Sequence, residues 1–133
     1  MTRSVLVLDA SVGVKWFKRE AGSDEALALL EALGAGEIDL VVPAVFPHEV
    51  LDVARRVHGS DRAREAWERM DATGMVVAGV DSRLVADTLK TAARLGCTLY
   101  DAAAPALAAR LGCTFVSADA RAHRHVESVR LIG

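Results

Sequence analysis

Four carboxylates stand apart from the rest of the chain's 18 Asp and Glu by where they fall. Asp9 closes the unbroken apolar run Val5-Leu-Val-Leu8, and Asp119 follows the run Thr114-Phe-Val116 by three residues. Glu49 lies on the same i, i+4 line as Val45, Val53 and Val57. Asp101 opens a stretch in which every residue as far as Arg110 is apolar, most of them alanine. A carboxylate inside an apolar stripe is costly unless something pairs with it. Acids packed together also repel and raise one another's pKa, so such a group persists only around a shared proton or a cation. Oxygen-only ligation selects a hard ion, Mg2+ or Mn2+, which also binds phosphate oxygens. Such an ion can lower the pKa of water, orient it towards a phosphodiester and neutralise charge on the leaving oxygen. Plainer readings stand beside this one: Asp9 as a helix cap, and Glu49 or Asp119 in a salt bridge to arginine.

The elements that must bring these acids together follow from the pattern of the chain. An apolar run as short as Val5–Leu8 suits a strand covered on both faces of a parallel sheet. Further strands are expected at 40–42, 75–77, 114–116 and 129–132. Between them the spacing predicts helices over 10–18, 23–33, 44–57, 61–71, 82–95 and 99–111, with a short one after Asp119. In these, Ser23 and Thr98 serve as N-caps, and Val12, Trp16 and Phe17 face inward while Lys15, Lys18 and Arg19 face out. Helix 82–95 buries Leu84, Val85, Leu89 and Ala92. Helix 99–111, apolar nearly all round, is a buried helix whose first turn carries Asp101. Pro105 deletes the hydrogen bond to the Asp101 carbonyl and should kink it. The hexapeptide Ala-Arg-Leu-Gly-Cys-Thr at 93–98 and 109–114 marks two helix ends with the same glycine stop. Strands alternating with helices imply a three-layer α/β/α sandwich around a central parallel sheet. The two strand-end acids then share one rim, where such sheets bind ligands.

A chain of 133 residues, 52% hydrophobic, fits one domain spanning 1–133 with a proper core. Its net charge of −2 gives no global basic signal for nucleic acid, though an acidic site rimmed by arginine would average out. The scattered aromatics form no base-stacking stripe. Cys97 and Cys113 have no CxxC partner or histidine at ligand spacing, and read as buried thiols in a reducing compartment. No apolar run approaches a membrane span or a secretory segment, which places the protein in the cytoplasm.

Val-Leu-Asp-Ala-Ser at 7–11 with Lys15-Trp16, Pro43 leading to Glu49-Val50, Tyr100-Asp101-Ala-Ala103 and Ser117-Ala-Asp119 occur in the order of the PIN domain. Across its whole length the chain resembles that family, and most of all the VapC-type ribonuclease toxins of toxin–antitoxin pairs. The resemblance implies a PIN-like fold and Mg2+- or Mn2+-dependent cleavage of RNA. By its motifs Asp9 and Asp101 are the principal metal ligands, Asp119 and Glu49 complete the site, and Ser117 orients Asp119. It also implies a cognate antitoxin and a homodimer. Three positions depart from the family's pattern: Asp52 in place of a frequent Asn, His48 before the glutamate, and Pro105 inside the helix of Asp101.

Lys15, Arg19 and Arg121 are the candidate contacts to RNA phosphates, with Arg55, Arg56 and Arg124 as weaker ones. His123 and His125, two apart on a helix, do not share a face for metal. A receiver-type signalling domain would need an acidic pair after the first strand and a phosphoacceptor Asp after the third. Here Val77 is followed by Ala78-Gly-Val80. A PIN-like scaffold without activity, or an RNA-processing nuclease with no toxin role, remains the alternative.

Overall fold

In the computed structural model, which describes residues 3–133, the chain forms one five-stranded parallel sheet in the order β3-β2-β1-β4-β5. The strands are β1 (Ser4–Leu8), β2 (Ile38–Val42), β3 (Val76–Val77), β4 (Thr114–Ser117) and β5 (Val129–Leu131). The helices are α1 (Ala10–Gly13), α2 (Ser23–Gly34), α3 (Phe46–His58), α4 (Ser60–Ala72), α5 (Ser82–Leu95), α6 (Leu99–Leu111) and α7 (Ala120–His123). The chain runs outward from β1 through β2 to β3, then returns to lay β4 on the other side of β1. The switch in direction therefore falls between the ends of β1 and β4, where Leu8 pairs with Val116.

Alternation along the strands divides the interior into two cores. Leu8, Leu40, Val42 and Val116 pack with Phe46, Val50 and Leu29 on one face. Val7 and Phe115 pack with Leu84, Ala104, Leu107 and Ala108 on the other. This is why the run Leu6–Leu8 needs no polar position: its side chains alternate between the two helix layers. The three-layer α/β/α arrangement expected from the alternation of elements is the one formed.

The repeated hexapeptide ends two helices in the same way. Gly96 and Gly112 cap α5 and α6 in the left-handed region, at φ of 67° and 66°. A side chain there would be strained, so the glycine is what stops each helix.

Several local expectations fail for identifiable reasons. The first helix is only Ala10–Gly13, continued by a 3-10 turn over Val14–Trp16. Ser23 is the first residue of α2, not its cap; the cap is Gly22, and the Ser23 hydroxyl instead accepts from the Glu20 N–H at 2.9 Å. Val85 and Leu89 are 43% and 52% exposed, because α6 covers only one side of α5. With Val80, Leu99 and Tyr100 they leave an apolar surface flanking a groove of about 280 Å³ beside the start of α3. Both cysteines are half-buried, not buried. Helix α6, by contrast, has the expected bounds, Leu99 to Leu111, with Pro105 inside it.

Candidate active site

Asp9 is the residue that follows β1, and its backbone N–H continues the strand pairing by donating to the Val116 carbonyl at 3.0 Å. Its carboxylate accepts from the Ser11 N–H at 3.0 Å, so the helix-capping role and the site position belong to the same side chain. The group is almost fully enclosed. Burial pushes its pKa up, and hydrogen bonding to Ser11 and the nearness of His123 recover only part of that rise.

Glu49 lies in the first turn of α3, half-buried, and among the described residues it has no ion-pair partner. Burial, then the charges of Asp9 and Asp101, push its carboxyl up to about 7. The salt bridge to arginine is thus not what keeps this acid inside. Its neighbours are other acids. The helix is brought there by Gly13, at which a Cβ would lie 2.6 Å from the Phe46 ring and 2.7 Å from Val50. Only a glycine lets α1 approach α3 so closely.

Asp101 lies in the first turn of α6, where the Thr98 hydroxyl caps its N–H at 3.0 Å. Asp119 caps α7 by accepting from the Ala122 N–H at 3.1 Å. Asp101 and Asp119 line one cleft of about 410 Å³ together with Cys97, Thr98 and Arg121. The Cys97 thiol there is pushed up by burial and by the charges of Asp101, Asp119 and Asp9.

Ser117 is fully buried, and its hydroxyl accepts from the Asp119 N–H at 3.0 Å. Its oxygen also lies 2.6 Å from Nδ1 of His123, whose Nε2 is 2.6 Å from the Asp101 carbonyl oxygen. In parallel, the Ser11 hydroxyl accepts from the Ala118 N–H at 3.0 Å. These bonds tie the ends of β1 and β4 to the first turn of α6. Ser11 and His123 were not singled out as site residues by sequence. The available signal for His123 was Pro105, which leaves the Asp101 carbonyl without its helical donor.

The cations divide differently from expectation. Arg121 is exposed on the cleft wall. Arg19 is exposed and paired with Asp24 at 2.6 Å. Lys15 does not face out: it is 8% exposed, donates to Glu20 at 3.1 Å and to the Ala21 carbonyl, and packs against the Gly22–Gly133 contact. A buried ammonium bonded to loop acceptors does not stand on the surface where a phosphate would be gripped, which corrects the expectation for Lys15. Asp52 is solvated and bonded to Arg55 and Arg56.

The acidic donors facing the cleft, beside the Cys97 thiol, are the carboxylate oxygens of Asp101 and Asp119, which suit a hard divalent cation. Among the described residues no three His, Cys, Asp or Glu side chains close into a cage by themselves. A Mg2+ site is commonly built from one or two carboxylates plus waters and substrate oxygens, so the donor set fits that ion better than a closed structural metal site.

Sheet order and acid placement together define a parallel α/β protein with an acidic cleft at its switch point. Residues 6–128 match the PIN domain family, and the chain belongs to it. Its fold is that of VapC-type toxins. It is similar to a toxin–antitoxin complex from Klebsiella pneumoniae (17% identity, TM-score 0.73, covering 94% of this chain and 95% of that one). It is also similar to VapBC2 from Rickettsia felis bound to a fragment of promoter DNA (9%, 0.74, 97% and 99%). A third is VapC20 of Mycobacterium tuberculosis, a sarcin–ricin loop cleaving toxin (17%, 0.72, 94% and 98%). No curated protein matches the sequence.

Proposed function

We propose that the protein is a Mg2+- or Mn2+-dependent endoribonuclease and the toxin of a toxin–antitoxin pair. The observation that carries this reading is the convergence of acids from separate segments at the β1–β4 switch point. There Asp9, Glu49 and Asp101 feel one another's charge, and among the described residues Glu49 has no ion-pair partner to offset it. Fold neighbours that are toxins, one named a sarcin–ricin loop cleaving toxin and another solved as a toxin–antitoxin complex, support RNA as the substrate class and a cognate antitoxin as partner.

Asp9 and Asp101 would be the principal ligands, with Asp119 and Glu49 completing the site. A bound divalent ion supplies Lewis acidity, which acidifies water and neutralises charge developing on a leaving oxygen. The chain's own residues do the rest. Burial of Asp9 keeps bulk water from screening the site. Glu49, raised to about 7 in the metal-free chain, can hold a proton near neutral pH that a bound divalent ion would displace. Arg121 offers a guanidinium to a phosphate on the cleft wall, and Arg19 is a second candidate. Ser117 fixes the strand end from which Asp119 projects. A cytoplasmic location and a homodimer complete the proposal; no helix among the described residues is long and apolar enough to cross a membrane.

The test incubates total RNA with the wild type, Asp9→Asn and Asp101→Asn, with Mg2+ or Mn2+ or with chelator, and maps the cut ends. Cleavage should require the ion and vanish in both variants, with their far-UV spectra unchanged. Undiminished cleavage in chelator, or by both variants, would reject the mechanism. Expression without the antitoxin should slow growth; harmless expression of a protein that cleaves RNA in vitro would leave a nuclease without the toxin role.

A further inference from the structure

Pro105 and His123 are far apart in sequence and meet at a single oxygen. In a helix the Asp101 carbonyl accepts from the N–H four residues on, and that residue is Pro105, which has none. The His123 Nε2 lies 2.6 Å from the same oxygen. A carbonyl can only accept, so Nε2 carries a proton whatever the charge on the ring. In the neutral ring Nδ1 then accepts from the Ser117 hydroxyl, 2.6 Å away, while that hydroxyl accepts from the Asp119 N–H. The ring is fully buried and set edge-on to Phe115 at 4.9 Å and 85°, which leaves it little freedom to turn. A histidine enclosed like this is worth its desolvation only if both nitrogens are bonded, and both are.

We propose that His123 is a positioning residue: its Nε2–H replaces the donor missing at Pro105 and holds the Asp101 turn of α6 to the strand end that carries Asp119. The two departures from a regular helix and an apolar core are then one device. A proline alone would leave the first turn of α6 free to splay, and an Asp101 peptide bonded only within its own helix would have no tie to β4. The metal readout of this proposal rests on the nuclease reading above; the hydrogen-bond exchange does not.

The test compares wild type, Pro105→Ala, His123→Leu, His123→Gln and the Pro105→Ala/His123→Leu pair in the full chain. Mn2+ affinity is measured by calorimetry, thermal midpoints in chelator, and the imidazole nitrogens by NMR. Loss of a group that orients a ligand typically weakens metal binding by about 10–100-fold, and His123→Leu should fall in that range. His123→Gln, which keeps an amide donor, should recover most of the loss. In the Pro105→Ala background, where residue 105 again donates to Asp101, His123→Leu should cost less affinity and fewer degrees than it does beside proline. NMR should show Nε2 protonated.

An unchanged Mn2+ dissociation constant in His123→Leu, an equal loss in both backgrounds, or an unprotonated Nε2 would overturn the proposal. Cleavage of RNA by a wild type whose His123→Leu variant binds Mn2+ normally would fail this proposal and leave the nuclease reading standing. The expected coupling in a protein that never cuts RNA would do the reverse. Should the wild type bind no Mn2+, the thermal cycle alone decides: a loss that does not shrink in the Pro105→Ala background rejects the exchange. If His123→Leu does not fold, folding of the double variant supports the exchange and its failure to fold counts against it.

Discussion

Glu49 is an acid held among acids, and its protonation should be visible in the stability of the metal-free protein. Burial and the charges of Asp9 and Asp101 raise its pKa from 4.5 to about 7. The folded state therefore binds this proton more tightly than the unfolded chain does. Stability from this group is full below 4.5 and is lost as pH rises through about 7. Asp9, raised chiefly by burial, shifts stability in the same direction. In chelator, the wild-type thermal midpoint should fall between pH 5 and pH 8, and Glu49→Gln should flatten that fall. Because a divalent ion competes with the proton, Mn2+ should raise the wild-type midpoint more at pH 8 than at pH 6. Coincident pH profiles for wild type and Glu49→Gln would show that the carboxylate is not confined as described.

At the level of elements, the site depends on how closely α1 and α3 approach. Gly13 has no side chain, and the space a Cβ would need is already filled by the buried Phe46 and Val50. Gly13→Ala should therefore push the two helices apart instead of adding helix propensity. Overpacking of this kind costs roughly 1–3 kcal/mol, which urea unfolding would measure. The same shift moves Glu49 away from Asp9, so cleavage should fall more steeply than stability. An alanine variant as stable and active as wild type would mean that the contact relaxes freely.

Over the whole molecule, two cores share one thin sheet, and the second of them is the smaller. Phe115 is its largest buried side chain and also the surface on which His123 rests. Phe115→Ala should cost about 3–5 kcal/mol, a large part of the 5–15 kcal/mol that a domain usually has. Chemical denaturation should show that loss even in chelator, whereas Asp101→Asn should leave the midpoint near wild type. A mild effect of Phe115→Ala would mean that α6 does not depend on the sheet for its position.

Much of this was legible in the residues themselves. The sheet and its helices follow from short apolar runs alternating with periodic segments, and helices 82–95 and 99–111 end where the two glycine stops put them, the second beginning at its cap Thr98. Those signals are local: a missing Cβ, a capping hydroxyl, a period of two or 3.6 residues. The exposure of Val85 and Leu89 was not legible, because a helix pattern says which face is apolar and not how wide a neighbour will cover it. The burial of Lys15 was not legible for a related reason, since its acceptors at Glu20 and Ala21 are assembled only once the loop closes over it. By itself the chain determined that Asp9, Glu49, Asp101 and Asp119 sit at strand ends or inward helix positions. Tertiary structure alone decided that Asp9, Glu49 and Asp101 share one electrostatic neighbourhood, and that a proline in one helix is answered by a histidine from the next turn of the fold. Hydrogen bonds and Coulomb forces act over a few ångströms of space, and distance along the chain does not set that separation.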